Sequence, residues 1–296
     1  MRPDWIAADW GTSNLRTTMM GPDGPAETRI SDRGMGRLKP AEFEPALLDL
    51  IGEWLPETGR IPILACGMVG ARQGWQEAAY RKVPCTPLDA GALTMVPARD
   101  PRIDFRIAPG LSQEAPADVM RGEETQIAGA LALHPGFDGV ICLPGTHSKW
   151  VQVSAGEVVS FQTFLTGELF ALLSKQSVLR HGISGDSWQD DAFGDALSDA
   201  ISHPHRFAAR LFGLRAQGLL HGLDPGAARA RLSGLLIGVE LAAARPYWLG
   251  QPVTLIGDAA LSGRYGAALL AQGVEPRQLS GSACALAGLS TLRGSL

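Results

Sequence analysis

Short apolar runs recur along the chain, and two of them end in a glycine followed by hydroxyl-bearing residues. The first, Trp5-Ile6-Ala7-Ala8, closes on Asp9, and Trp10-Gly11-Thr12-Ser13-Asn14 follows before an extended pattern resumes from Leu15 to Met20. This spacing predicts strand, tight turn and strand, with one carboxylate at the end of the first strand. Such a turn either holds a phosphate on its amides and hydroxyls while the Asp holds a metal ion, or makes only local turn bonds. The pattern then repeats. The apolar run Gly139–Leu143 leads into Pro144-Gly145-Thr146-His147-Ser148-Lys149-Trp150. After the first Gly-Thr, extended segments Leu15–Met20 and Ala26–Ile30 flank a turn at Gly21–Gly24; after the second, Lys149–Ser154 and Val158–Thr163 flank Ala155-Gly156. A duplicated three-strand unit with a hydroxyl-bearing turn in each copy predicts two similar domains facing one phosphate.

Between and beyond these units the pattern is less regular. Ser31–Gly36 reads as a glycine-rich loop, and Phe43 to Leu55 as a helix stopped by Pro56. The strand Ile61–Cys66 runs into Gly67-Met68-Val69-Gly70-Ala71-Arg72-Gln73-Gly74-Trp75, a loop at the carboxyl edge of a sheet, where open α/β folds place ligands. Arg72, Gln73 and Trp75 either reach a cleft there or belong to a plain connector. Residues 80 to 118 read as strand-poor and proline-rich apart from Ile103–Ala108, and Pro109–Pro116 as the passage between domains. A helix is predicted from near Val119, with Arg121, Glu123 and Glu124 at its N-terminal end, where anions are favoured. Thr166–Leu173 reads as a helix with a hydroxyl cap, and the polar stretch Asp186–His205 as an inserted cap or an interface element. Helices over Phe207–Leu220 and Ala227–Trp248 follow. A strand at Val253–Ile256 then meets Gly257-Asp258 and a helix to Ala271, with a last helix at Ala283–Leu292.

Composition narrows the function classes. The chain has 296 residues, 36 Gly and 20 Pro, and a net charge of −4, a globular composition long enough for two domains. Lys and Arg never cluster beyond two neighbours, which argues against a nucleic-acid surface. The four cysteines, Cys66, Cys85, Cys142 and Cys284, show no CxxC spacing and read as reduced thiols. Met1-Arg2-Pro3-Asp4 lacks the apolar core of a signal peptide, and the apolar run Leu235–Ala244 is broken by Glu240. A cytoplasmic protein without membrane spans is expected. A homodimer is compatible with the sequence, which leaves oligomeric state open.

The chain carries no P-loop, no Gly-x-Ser-x-Gly elbow, no Rossmann glycine spacing and no HExxH, and its six histidines show no metal-ligand spacing. What remains is an Asp at a strand end, two Gly-Thr turns, a carboxylate-rich helix start and a late strand–glycine–helix junction. That is the order of motifs in the actin, heat-shock and sugar-kinase superfamily. More narrowly, the chain resembles the 2-dehydro-3-deoxygalactonokinases, also called 2-keto-3-deoxygalactonate kinases. The residues that carry this are Asp9–Arg16, Gly67–Trp75, Arg121–Gln126, Leu143–Trp150, Phe164–Glu168 and Gly257-Asp258.

The resemblance implies an α/β fold of two duplicated RNase-H-like (actin-like ATPase) domains with a cleft between them. Residues 1–115 would form the sugar-acid side and 116–296 the nucleotide side. It implies transfer of the γ-phosphoryl of ATP, with Mg²⁺, to the 6-hydroxyl of 2-dehydro-3-deoxy-D-galactonate. Asp9 would hold the metal. Gly11, Thr12 and Ser13 would face one side of the phosphates, and Gly145, Thr146, Ser148 and Lys149 the other. Glu123, ahead of Glu124, would be the base, unless one of these carboxylates binds Mg²⁺ or a sugar hydroxyl, or both only cap the helix or pair with Arg121. Arg16 and Arg72 are the cations set against the substrate carboxylate, with Gln73 a hydroxyl partner and Trp75 an apolar wall; Arg121 is also expected to bind substrate. Gly257, Asp258 and Ser262, with Tyr265 nearby, would hold the nucleoside. Rival readings are a kinase of this fold for 2-keto-3-deoxygluconate, a hexosamine or an anhydrosugar, a non-catalytic sugar sensor, and a phosphohydrolase.

Overall fold

The computed structural model describes residues 3–296; Met1 and Arg2 of the N-terminal segment lie outside it. In chain order, strands β1 (Trp5–Trp10), β2 (Leu15–Gly21) and β3 (Gly24–Ser31) precede helix α1 (Phe43–Ile51) and β4 (Ile61–Cys66). Then come β5 (Tyr80–Lys82), β6 (Thr94–Met95), β7 (Ile103–Ile107), β8 (Gly110–Glu114), β9 (Ala117–Met120) and α2 (Glu123–Leu133). The repeat opens with β10 (Gly139–Leu143), β11 (Ser148–Ser154) and β12 (Glu157–Phe164), followed by α3 (Thr166–Lys175), α4 (Asp190–Ser202), α5 (Phe207–His221), α6 (Pro225–Ala243) and α7 (Arg245–Trp248). The chain closes with β13 (Val253–Gly257), α8 (Ala259–Leu270), β14 (Arg277–Ser280) and α9 (Gly281–Gly294).

The duplication read from the two Gly-Thr turns is present in the topology. The first sheet runs β3-β2-β1-β4-β7-β6 and the second β12-β11-β10-β13-β14, so both share the RNase-H-like order third, second, first, fourth, fifth. β1 and β4 pair in parallel, as do β10 and β13, while β1 and β2 form an antiparallel hairpin. Central strands such as β10, buried along their whole length, are apolar throughout, as strands covered on both faces must be. By contacts the chain divides into two compact units. One comprises the residues through Asp138, the hairpin tip Val153–Ser160 and the C-terminal Ser280–Leu296; the other comprises Gly139–Gln152 and Phe161–Leu279. The boundary expected after residue 115 falls inside the first of these.

In the first unit, one sheet face packs Trp10, Ile63 and Phe105 against Phe43 and Leu47 of α1. The opposite face packs Ala7, Leu64 and Cys66 against Leu289 and Leu292 of α9. In the second unit, Phe193 and Leu197 of α4 pack with Ile237 and Leu241 of α6. Cys66, Cys142 and Cys284 are buried free thiols, and Cys85 is a half-buried one. No helix among the described residues is long and apolar enough to cross a membrane.

Three local expectations are corrected. Pro109–Pro116 is no passage between domains: it holds β8, which pairs in parallel with β5 and antiparallel with β9 in a separate sheet. These strands are short, of three to five residues, and show no regular alternation of apolar and polar positions that marks a strand. The helix expected from Val119 begins at Glu123, because Val119 belongs to β9 and Gly122 turns the chain with φ 105°. Thr166 opens α3 without capping it; its hydroxyl donates instead to Glu240. Asp186–His205, read as an inserted cap or an interface element, is mostly α4, whose apolar face belongs to the core of its unit.

Helices α2 and α9 approach at backbone distance. A Cβ on Gly129 would lie 1.8 Å from the Cys284 carbonyl oxygen, and one on Gly288 would lie 2.0 Å from that of Thr125. Gly129→Ala should therefore lower unfolding stability by about 3 kcal/mol in urea titration. Gly213→Ala on α5, where an added Cβ meets nothing within 4 Å, should be neutral or stabilising by up to about 1 kcal/mol. Equal effects of the two would contradict the close helix pair.

Candidate functional site

The first Gly-Thr turn sits at the carboxyl end of β1. Register places Asp9 opposite Arg16 on β2 and beside Cys66 on β4, whose thiol donates to Asp9 Oδ1 at 3.9 Å. Gly11 N–H donates to the Asn14 carbonyl at 2.9 Å and closes the turn. The loop after β3 then braces it from behind: Gly34, Met35 and Gly36 N–H groups donate to the carbonyls of Ser13, Gly11 and Thr12. A Cβ on Gly34 would lie 2.2 Å from the Ser13 carbonyl carbon, so only glycine fits there. With its carbonyls taken up by the loop, the turn leaves the Thr12 and Ser13 side chains exposed.

A second backbone approach brings two glutamates to this place. Gly67, at φ 91° after β4, would carry a Cβ 2.8 Å from the Trp10 carbonyl oxygen, and a Cβ on Gly122 would lie 3.1 Å from Gly67 Cα. The start of α2 is thereby set against the ends of β1 and β4. Glu123 is half-buried, and its Oε2 accepts from Arg121 N–H at 3.0 Å. Glu124 is fully buried; it accepts from Gly122 N–H at 2.6 Å and from the Thr125 hydroxyl at 3.0 Å. Burial, and next the charge of Glu123, push the Glu124 carboxyl up to about 8. Burial also raises the Asp9 carboxyl; Arg16 opposes this and Glu123 adds to it. Asp9 and Glu123 thus lie in one field.

Asp9 and Arg16 line a pocket of about 320 Å³, together with Thr18, Thr28 and Ser282 on the first turn of α9. The Thr18 and Thr28 hydroxyls are 3.0 Å apart. Other residues expected nearby are placed elsewhere. Trp75 packs with Phe105, Trp10 and Phe43 at centroid distances of 4.8, 6.2 and 6.4 Å, on the face of β1 opposite to Asp9. Arg72 and Gln73 are exposed, with Arg72 3.5 Å from Glu77. Arg121 is buried, donates to the Ala78 carbonyl at 2.7 Å and stacks on Tyr80, while its Nε and Nη1 lack hydrogen-bond partners among the described residues.

The second Gly-Thr turn is braced in another way. A Cβ on Gly167 in the first turn of α3 would lie 2.3 Å from the Gly145 carbonyl oxygen, and Glu168 N–H donates to the Thr146 carbonyl at 2.9 Å. Glu168 also bonds the His147 ring at 2.5 Å. Thr146 is exposed. Ser148 and Lys149 are turned inward: the Ser148 hydroxyl donates to Glu240 at 2.7 Å, and Lys149 Nζ donates to the His147 carbonyl at 3.2 Å. At the late junction, a Cβ on Gly257 would meet the Pro144 carbonyl oxygen at 3.2 Å, and Asp258 caps α8 through Ala260 and Leu261 N–H. Ser262 is buried and its hydroxyl has no hydrogen-bond partner among the described residues. A pocket of about 260 Å³ opens beside Gly145 and Thr146, walled by Phe170, Ile237, Leu261 and Arg264. Burial, then the charge of Arg229, lowers the pKa of the Arg264 guanidinium, which stacks 4.0 Å over Trp188.

Sequence reasoning missed Gly34 and Gly167 as braces, and Thr18, Thr28 and Ser282 as pocket walls. It also passed over Glu240 as a member of the second site. The signal for Glu240 was present: it is the lone charge in an apolar helical run.

A family model described as 2-keto-3-deoxy-galactonokinase matches residues 9–292. A probable 2-dehydro-3-deoxygalactonokinase of Rhizobium meliloti (strain 1021) is 40% identical over 294 residues, 97% of this chain and 95% of the relative. The 2-dehydro-3-deoxygalactonokinase of Escherichia coli (strain K12) is 35% identical over 296 residues, covering 99% and 98%. The crystal structure of a Sinorhizobium meliloti protein, provisionally designated 2-dehydro-3-deoxygalactonokinase, superposes with a TM-score of 0.90 at 39% identity over 97% of each chain.

The buried Glu124 has a pH signature. Its folded value of about 8 lies above the ordinary 4.5, so between these values the folded chain binds the extra proton. Stability should then decline as pH rises through this window and level off above about 8. The melting temperature should fall between pH 5 and 8 by roughly 5 °C more in the wild type than in Glu124→Gln. Parallel profiles would contradict the burial argument.

Proposed function

The chain belongs to the 2-keto-3-deoxy-galactonokinase family, and from that premise we propose that it phosphorylates 2-dehydro-3-deoxy-D-galactonate at its 6-hydroxyl with ATP. The observation that carries the reading is the pairing of Asp9, beside an exposed hydroxyl-bearing turn, with a half-buried Glu123 in the same field. Phosphoryl transfer asks a protein for positioning and charge neutralisation rather than covalent chemistry.

The residues fit Mg²⁺ held by few protein groups. No cluster of three or more His, Cys, Asp or Glu that could hold a metal ion occurs among the described residues, and Mg²⁺ is commonly bound by one or two carboxylates with waters and substrate phosphates. Asp9 is the carboxylate that would hold it, and the ion would supply neutralising charge to the phosphates. The exposed turn residues Thr12 and Ser13 in one unit, and half-buried Gly145 and exposed Thr146 in the other, offer amides and hydroxyls to phosphate oxygens. The pocket beside Gly145 and Thr146 suits the nucleoside, with apolar walls and the Arg264 guanidinium at its edge.

Glu123 takes the proton of the 6-hydroxyl as that oxygen bonds to the γ-phosphorus and the bridge to ADP breaks. Burial favours it over Glu124, whose carboxyl is enclosed, hydrogen-bonded through both oxygens and protonated at neutral pH. Arg16, in the pocket with Thr18 and Thr28, suits the carboxylate of the sugar acid better than Arg72, which lies at solvent beside Glu77.

A coupled ADP-release assay over keto-deoxy sugar acids and hexoses should show turnover with 2-dehydro-3-deoxygalactonate and not with hexoses. Glu123→Gln should lower kcat by about 10²–10⁴-fold while substrate KM values change little. Near-wild-type turnover in a folded Glu123→Gln would remove it as the base, and ADP release without any acceptor would point to a hydrolase.

A further inference from the structure

Glu240 presents a physical problem. It lies in α6 among Leu235, Leu236, Ile237 and Leu241, is 2% exposed, and has no cation among the partners of its carboxylate. An apolar side chain there would avoid the cost of burying a carboxyl, so the group is retained for what it holds. Its Oε2 accepts from the hydroxyls of Ser148 at 2.7 Å, Tyr265 at 2.7 Å and Thr166, and its Oε1 accepts from the Trp150 indole at 2.8 Å.

The partners share one location. Ser148 is the first residue of β11, directly after the turn residue His147, and Trp150 is two residues further along the same strand. Thr166 opens α3 and immediately precedes Gly167, whose backbone lies against Gly145 and Thr146. Tyr265 belongs to α8, which starts at the Gly257-Asp258 junction. Thr166 and Tyr265 also line the pocket of about 260 Å³ beside the turn. One buried carboxyl therefore ties both flanks of the second Gly-Thr turn, and the pocket wall next to it, to a single helix.

We infer that Glu240 is a positioning residue for nucleotide binding, fixing the second turn and the start of α3 through Ser148 and Thr166. This rests on the reading that the second turn holds nucleotide phosphates. Glu240 itself is enclosed and reaches no ligand, so its effect is transmitted through these two hydroxyls. Gln in its place keeps the shape but offers one acceptor oxygen where three hydroxyls and an indole now donate to two. The turn would then lose its fixed geometry while the sheet beneath it remains.

The test uses the full chain and measures Mg-ADP affinity by calorimetry, with KM for ATP and for the sugar acid. In Glu240→Gln, Mg-ADP affinity should fall and the ATP KM rise, each about tenfold, with the sugar-acid KM unchanged. A purely structural role would lower melting temperature or active fraction without this selective shift. A cooperatively folded Glu240→Gln with unchanged nucleotide affinity overturns the inference. Should that variant fail to fold, Thr166→Val decides by the same criterion. Thr146→Val separates the two levels. If it weakens nucleotide binding while the Glu240 and Thr166 variants do not, only the role of Glu240 fails. If none of the three alters nucleotide affinity, the phosphate reading of the turn fails as well.

Discussion

Both candidate sites depend on a glycine that lets backbone pack directly on a Gly-Thr turn. Gly34 lies against Thr12 and Ser13, and Gly167 against Gly145 and Thr146, at distances where any Cβ would overlap the turn's own main chain. The consequence is the same in each copy. Carbonyl groups of the turn are engaged by the bracing segment, and Thr12 and Thr146 are left exposed. A turn fixed in this way loses little further freedom when it meets an anion, which is the condition for tight and oriented binding. The two copies reach this end by different means, a loop after β3 in one and the first turn of α3 in the other. Topology was retained through the duplication while the bracing diverged.

The carboxylates are sorted by burial. Asp9 and Glu123 are only partly buried, while Glu124 and Glu240 are enclosed and occupied with hydrogen bonds. Burial raises the carboxyls of Asp9, Glu124 and Glu240, with Arg16 opposing it at Asp9 and four donors opposing it at Glu240. Burial and hydrogen bonding thus pull in opposite directions at these enclosed acids, and burial is the larger influence at both Glu124 and Glu240. The same arrangement gives adjacent residues separate surroundings: Glu123 is half-buried, the base proposed above, and Glu124 secures the start of α2.

Much of this was legible in the sequence where local pattern and fold coincide. The strand Ile61–Cys66 and the two strand–turn–strand units appear where apolar spacing places them, because central strands buried on both faces are written as apolar runs. The small sheet of β5, β8 and β9 was not legible, since its strands are short and carry no regular apolar alternation. Side-chain direction was the other failure. Trp75, Arg121 and Ser148 carry the right chemistry for a ligand site, yet each is turned toward partners in the interior: Phe105, Tyr80 and Glu240. These contacts join residues distant in sequence, and no local pattern records them.

The central claim is that the turns at Gly11 and Gly145 both serve one nucleotide. A crystal structure with a non-hydrolysable ATP analogue, Mg²⁺ and the sugar acid tests it most directly. Expected are phosphate oxygens at about 3 Å from groups of both turns, the metal at Asp9 and the terminal sugar hydroxyl beside Glu123. Phosphates bound by one turn alone, or by neither, would contradict it.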